Sequence, residues 1–242
     1  MSLLITFGHK VRRSILNKLT LFVLLFYSNT GAYAAKILWT QYCQHQGTMK
    51  LLVHMDADPT LPVPAKPESV KLWIDESLNG NWKIVDERPV DYLTATVLFE
   101  LEEWPRYKSI PFRVDSGEFD WEGLFRAEPM EGSILKAVGL SCHRDIGWPW
   151  KEAISEVISH DPDLVIFTGD QIYENDYGSP VFHAKTKEKV PHGMKNYLYK
   201  YRKFGEAFHE LMRDRPTIMI TDDHDVFLSD LWGNGAALIE SK

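Results

Sequence analysis

Over the first half of the chain, apolar residues return at every second position in short runs. Val70, Leu72 and Ile74 alternate with Lys71 and Trp73, the period of a strand with one buried face. Asn79-Gly80 is a turn signal, and Trp82 to Val85 reads as the return strand. Tyr92 to Leu101 is rich in Thr, Val and Phe, and Ile110 to Val114 forms a further short strand. Pro59, Pro62, Pro64 and Pro67 gather in one connection, where missing N–H donors break no ladder. The segment from Lys36 to about Val114 therefore reads as β. Short strands punctuated by turn residues predict a small immunoglobulin-like β-sandwich over residues 35–118.

The pattern breaks between Asp115 and Ser133 into glycine, acids and aromatics, and residues 119–133 read as a linker. From Ile134 the period changes. Leu135 to Leu140 is a strand that ends at Ser141-Cys142. Trp150 to His160 carries Ile154, Val157 and Ile158 on one helical face and is stopped by Asp161-Pro162. Asp163 to Thr168 is a continuous apolar run of the kind buried on both faces. Lys195 to Arg213 is a second helical stretch, and Thr217 to Thr221 a third strand after Arg215-Pro216. Alternating strands and helices predict an α/β layered domain over residues 134–242.

Composition narrows the function classes. The 242 residues are 44% hydrophobic and 25% charged, an ordinary globular balance for one large domain or two small ones. Net charge is -7 and the Lys and Arg residues are scattered, so no basic stripe offers itself to nucleic acid. Phosphate esters stay within reach of an acidic chain when bound metal supplies the local positive charge. The N-terminus reads as an export signal over residues 1–34. Lys10, Arg12, Arg13 and Lys18 precede an apolar run from Leu19 to Tyr27, and Ala32-Tyr33-Ala34 is a cleavage pattern. The run is too short to anchor the chain in a bilayer, which takes about 20 residues. Arg12-Arg13 also fits a twin-arginine signal, and both secretion routes stay open. A periplasmic or extracellular location is expected. Two cysteines, Cys43 and Cys142, could pair in such a compartment.

Sites in α/β sheets gather past the carboxyl ends of the strands, and polar residues cluster at all three of those places. The first strand delivers Ser141-Cys142-His143-Arg144-Asp145, the second Gly169-Asp170-Gln171-Ile172-Tyr173-Glu174, the third Asp222-Asp223-His224-Asp225. Carboxylate and phenolate oxygens are hard ligands, and one added thiolate favours iron on one side of such a site. The acids at Asp170, Asp222, Asp223 and Asp225 would repel one another without a cation among them. The three clusters together describe a metal centre.

Gly169-Asp170 followed by Asp223-His224-Asp225 resembles the calcineurin-like metallophosphoesterases. More narrowly, Ser141-Cys142, Gly169-Asp170-x-x-Tyr173-Glu174, Tyr201-Arg202 and Asp222-Asp223-His224-Asp225-Val226 resemble the PhoD-like alkaline phosphatases and phosphodiesterases. The resemblance runs over roughly Ser133 to Asn234. It implies metal ligation by Cys142, Asp170, Tyr173 and Asp223, with Asp170 bridging two ions and His224 helping the leaving oxygen depart. It implies Fe(III) with Ca(II), other divalent metals being alternatives, and hydrolysis of a small phosphomonoester or phosphodiester by a metal-bound hydroxide. Arg144 and Arg202 are candidate clamps for a phosphate oxygen. The family completes its metal sites with histidines and an asparagine on later strands. No histidine follows Asp225 here, so the catalytic domain is expected to be incomplete and the chain alone weakly active or inactive. The competing expectation is an exported binding protein whose phosphatase half is vestigial.

Overall fold

The computed structural model describes residues 36–65 and 68–226, all within one compact unit. The expected export segment 1–34 lies outside the described residues. The chain opens on a hairpin of β1 (Ile37–His45) and β2 (Thr48–Met55). Gln46 and Gly47 turn it with φ of 50° and 85°, the left-handed pair that matches strand twist. β5 (Thr96–Leu101) adds antiparallel to β2, giving a sheet ordered β1-β2-β5. The strand expected from Tyr92 begins only at Thr96, because Asp91 Oδ1 accepts the N–H groups of Leu93 at 2.9 Å and Thr94 at 3.3 Å. That Asx turn holds the backbone out of the ladder.

A second antiparallel sheet is ordered β4-β3-β6-β7, from β3 (Ser69–Ile74), β4 (Lys83–Pro89), β6 (Ile110–Asp115) and β7 (Asp120–Phe125). Val70, Leu72 and Ile74 face inward, as their alternation predicts. β7 falls inside the segment read as a linker. Its pairing with β6 needs Gly123, where a Cβ would sit 2.5 Å from the ring of Phe112. Leu51, Val53 and Phe99 of the first sheet and Leu72, Phe112 and Val114 of the second share one core.

The third sheet is parallel, ordered β10-β9-β8, from β8 (Ala137–Leu140), β9 (Leu164–Phe167) and β10 (Thr217–Met219). Helix α1 (Lys151–Ser159) joins β8 to β9 and helix α2 (Val190–Arg213) joins β9 to β10, each crossover a βαβ unit. A short α3 (Asp223–Val226) follows. Val165 and Phe167 pack fully against Phe204, Phe208 and Leu211 of α2. The opposite face differs from the both-sides burial expected of these strands. Leu164 and Ile166 are partly exposed, Ile218 is 43% exposed and Ile220 55%, because both helices pack on one side. Trp39 of β1 inserts into this second core and lies directly on Gly205 of α2, so the two antiparallel sheets and the parallel sheet with its helices pack as one body. Asp161 further ties Arg126 at 2.8 Å to Arg215 at 3.1 Å. Among the described residues, no helix is long and apolar enough to cross a membrane.

Candidate metal centre

The three parallel strands end side by side, and their loops are stitched together by backbone. The N–H of His143 reaches the Asp170 carbonyl at 3.1 Å, and that of Cys142 reaches the Gly169 carbonyl at 3.3 Å. Cys142 and Asp170 both take left-handed φ, 59° and 54°, a conformation non-glycine residues hold only where the surroundings enforce it. Gly169, at φ 108°, is enforced by space. A Cβ there would lie 2.4 Å from the Asp222 Cβ, so only glycine lets the ends of β9 and β10 meet.

Asp225 supplies the clamp. Its Oδ2 accepts from the N–H groups of Asp170 (2.8 Å) and Asp222 (3.0 Å), its Oδ1 from those of Gln171 (2.9 Å) and Ile172 (3.2 Å). Burial pushes this carboxyl up, against the N–H groups that favour its charge. Gln171, fully buried, donates through Nε2 to the Ile220 carbonyl at 3.0 Å and makes the second tie between the same loops.

On this scaffold the Asp170 carboxylate becomes a point of convergence. Its Oδ2 accepts the Tyr173 hydroxyl at 2.8 Å and faces the Cys142 sulfur at 3.7 Å. Ligand atoms of Asp170, Asp223 and His224 all lie within 4.8 Å of one another. Cys142, Asp170, Tyr173, Asp223 and His224, picked out on three separate loops, are thus brought to one face. Burial raises the Tyr173 phenol, and its bonds to Asp170 and Cys142 raise it further, so without a cation the proton stays on the ring oxygen. His224 Nδ1 lies 2.8 Å from Glu174 Oε2. Partial burial draws the imidazole down, but the Glu174 hydrogen bond and the charges of Glu174, Asp170 and Asp223 outweigh it and raise it above the ordinary range.

The two candidate clamps part company. Arg144 lies on the Tyr173 ring, Cζ 4.8 Å from its centroid, with Nη2 on Asp176 at 2.9 Å. Arg202, on α2, pairs with Asp56 beside Trp39 and His54. Asp222 is exposed and its Oδ1 caps the Asp223 N–H at 2.9 Å. His143 turns inward, edge-on to Phe208 at 4.7 Å, and burial lowers it to about 4. Sequence reasoning placed Glu174 and Asp225 in the polar clusters and counted Asp225 among the acids around a cation, where it instead clamps backbone, and it passed over Asp176. Glu174 carried a chemical signal as an acid one residue beyond the candidate tyrosine, and Asp225 as one of the acids after the third strand. The backbone clamp of Asp225 and the part played by Asp176 depend on loops meeting in space.

The donor set fits a metal. Asp170 Oδ1 is buried and, among the described residues, has no hydrogen-bond partner, the condition of a carboxylate oxygen built to face a cation. A cation there would also reverse the raised phenol, since ion charge inverts the local pKa logic.

Residues 137–240 match the family described as PhoD-like phosphatase. Over this segment the chain is similar to that family. A solved structure of PhoD shares the fold at TM-score 0.56 and 17% identity, over 78% of this chain and 39% of that one. The chain therefore spans about two fifths of the length of that PhoD chain. A superoxide reductase (neelaredoxin) from Ignicoccus hospitalis aligns at 13% identity over 37% of this chain and 80% of its own, with TM-score 0.28. A cycloisomaltooligosaccharide glucanotransferase from Paenibacillus sp. aligns at 10% identity over 66% and 27%, with TM-score 0.31. At those TM-scores neither bears on the PhoD-like assignment. No curated protein matches the chain.

Proposed function

We propose that the chain is the N-terminal part of an exported, metal-dependent phosphohydrolase acting on phosphomonoesters or phosphodiesters. An immunoglobulin-like sandwich, its second sheet carried on to Phe125 by β7, precedes a metallophosphoesterase-type α/β layer from residue 134. The strand orders β1-β2-β5 and β4-β3-β6-β7 around one core support the sandwich. The parallel β10-β9-β8 sheet with two crossover helices supports the α/β layer.

One observation carries the functional reading. A thiol and a phenol from two loops converge on the same Asp170 oxygen while its other oxygen is buried without a partner among the described residues. Cys142, Asp170, Tyr173 and Asp223 would hold the metal, iron with calcium or another divalent ion. Bound there, it would polarise a phosphoryl oxygen and lower the pKa of water. The chain's own groups do the rest. Glu174 takes the hydrogen bond of His224 Nδ1 and fixes the ring, and the same carboxylate favours the imidazolium. Nε2 is then the ring atom that would give a proton to the departing ester oxygen.

The test is metal uptake by the chain from solutions of Fe(III), Ca(II) and Mn(II), followed by hydrolysis of p-nitrophenyl phosphate and its bis ester. Cys142→Ser and Asp170→Asn should each lower bound metal, and Tyr173→Phe should abolish any tyrosinate-to-iron absorption band. Uptake that all three variants leave intact would sink the site, and a metal-free wild type would favour a non-catalytic binding role.

A further inference from the structure

Asp176 is 1% exposed, in a short 3-10 turn (Asp176–Gly178) after β9. Its Oδ1 accepts from Arg144 Nη2 at 2.9 Å, and its Oδ2 accepts from the backbone N–H of Asp145 at 2.9 Å. The Asp145 carboxylate in turn accepts from the Tyr177 N–H at 2.8 Å. The loop after β8 and the loop after β9 are thereby tied in both directions. A carboxylate this deeply buried is compensated only while its cation stays in place, so Arg144 is held at one nitrogen.

Arg144 is also held along one face. Its Cζ lies 4.8 Å from the centroid of the Tyr173 ring, whose hydroxyl reaches Asp170. The side chain as a whole is 52% exposed. A guanidinium carries five N–H donors in a rigid fork, and Asp176 takes one end of it. The exposed donors form a planar edge suited to two oxygens of a tetrahedral anion. Arg202 is paired with Asp56, beside Trp39 and His54, instead.

We propose that Asp176 is the positioning residue that makes Arg144 the phosphate clamp of this site. It holds the guanidinium on the Tyr173 face, with its open donors toward an anion beside Asp170. The proposal rests on the phosphohydrolase reading and names the group that would recognise its substrate class. Asp176 touches no substrate. It acts by removing the freedom a long side chain would otherwise lose on binding.

The test is calorimetric titration of inorganic phosphate into the Mn(II)-loaded chain, with metal content and melting midpoint measured alongside. Asp176→Asn should weaken phosphate binding about threefold to tenfold, the size of immobilising one rotamer-rich side chain. Arg144→Gln, at an exposed position, should weaken it at least as much with metal content unchanged. In the Arg144→Gln background Asp176→Asn should add nothing, a result that general loosening of the loop would not give. Unchanged phosphate affinity in Arg144→Gln, or an equal loss from Asp176→Asn with and without Arg144, overturns the proposal. A wild type that holds Mn(II) yet binds no phosphate overturns the phosphohydrolase reading beneath it.

Discussion

Replacing Asp225 by asparagine changes one atom and sets two backbone donors against a new donor. The carboxylate is 2% exposed and accepts four N–H groups, two on each oxygen: Gln171 and Ile172 on Oδ1, Asp170 and Asp222 on Oδ2. Whichever way the amide turns, its NH2 faces one of those pairs. Two bonds are lost at about 1–1.5 kcal/mol each, so Asp225→Asn should cost about 3 kcal/mol. For a domain of this size that is a fall of about 6–12 °C in melting midpoint. Asp225→Ala strips all four bonds and should cost more. Denaturant unfolding reads the free energy, and a metal titration well below both midpoints reads the site. Asp170 depends on the same clamp for its left-handed backbone, so metal affinity should fall in Asp225→Asn even while the chain is folded. Asp222→Asn is the control. Its exposed side chain caps the Asp223 N–H, and stability should move by no more than about 0.5 kcal/mol. An Asp225→Asn chain that unfolds at the wild-type midpoint would refute the claim that this carboxylate holds the two strand ends together.

Two further outcomes follow from the packing of β1 and β2 on α2. Alanine normally stabilises a helix by about 1 kcal/mol over glycine. Gly205→Ala should instead destabilise by about 1–3 kcal/mol, because its Cβ would meet buried Trp39 Nε1 at 1.9 Å; a higher melting midpoint would show that α2 stands off the tryptophan. His54 stacks on Trp39 at 3.6 Å and on Tyr201 at 6.3 Å, and burial lowers it to about 3. The neutral ring is the folded form, so its stabilisation is complete above about pH 6.5 and declines as pH falls toward 3. At pH 4.5 the loss is about 2.7 kcal/mol. His54→Phe should remove that part of the acid dependence, measured by unfolding between pH 4.5 and 7, while half-buried His143, lowered to about 4, keeps its own share in both proteins. Identical slopes would place His54 in contact with water.

Much of this protein is legible along the chain because its strands are half-buried or continuous. Val70, Leu72 and Ile74 announce β3 by period alone, and Asn79-Gly80 announces the hairpin to β4. The apolar runs before Ser141, Gly169 and Asp222 marked β8, β9 and β10, and with them the places where polar side chains could gather. The misses have equally local causes. β7 reads as linker because Asp120, Glu122 and Gly123 sit on a strand whose partner needs a residue without a Cβ. Tyr92 to Ala95 reads as strand because nothing in its apolar content reveals that Asp91 will turn it.

The sequence by itself determined which chemistry is available: a thiol, a phenol, an imidazole and several carboxylates, each placed just past an apolar strand. Strand period and residue type are local properties, so they survive without the fold. Only the tertiary structure decided which acid does what. Asp222, Asp223 and Asp225 are near-equivalent in sequence, yet one is exposed, one joins Asp170 and His224, and one is buried as a backbone clamp. The arginines divide in the same way, Arg144 to Asp176 and Tyr173, Arg202 to Asp56. Those assignments depend on parallel strand ends lying side by side after long crossovers, a register fixed by Gly169, Gly205 and the packing of α2 rather than by any neighbour in the chain.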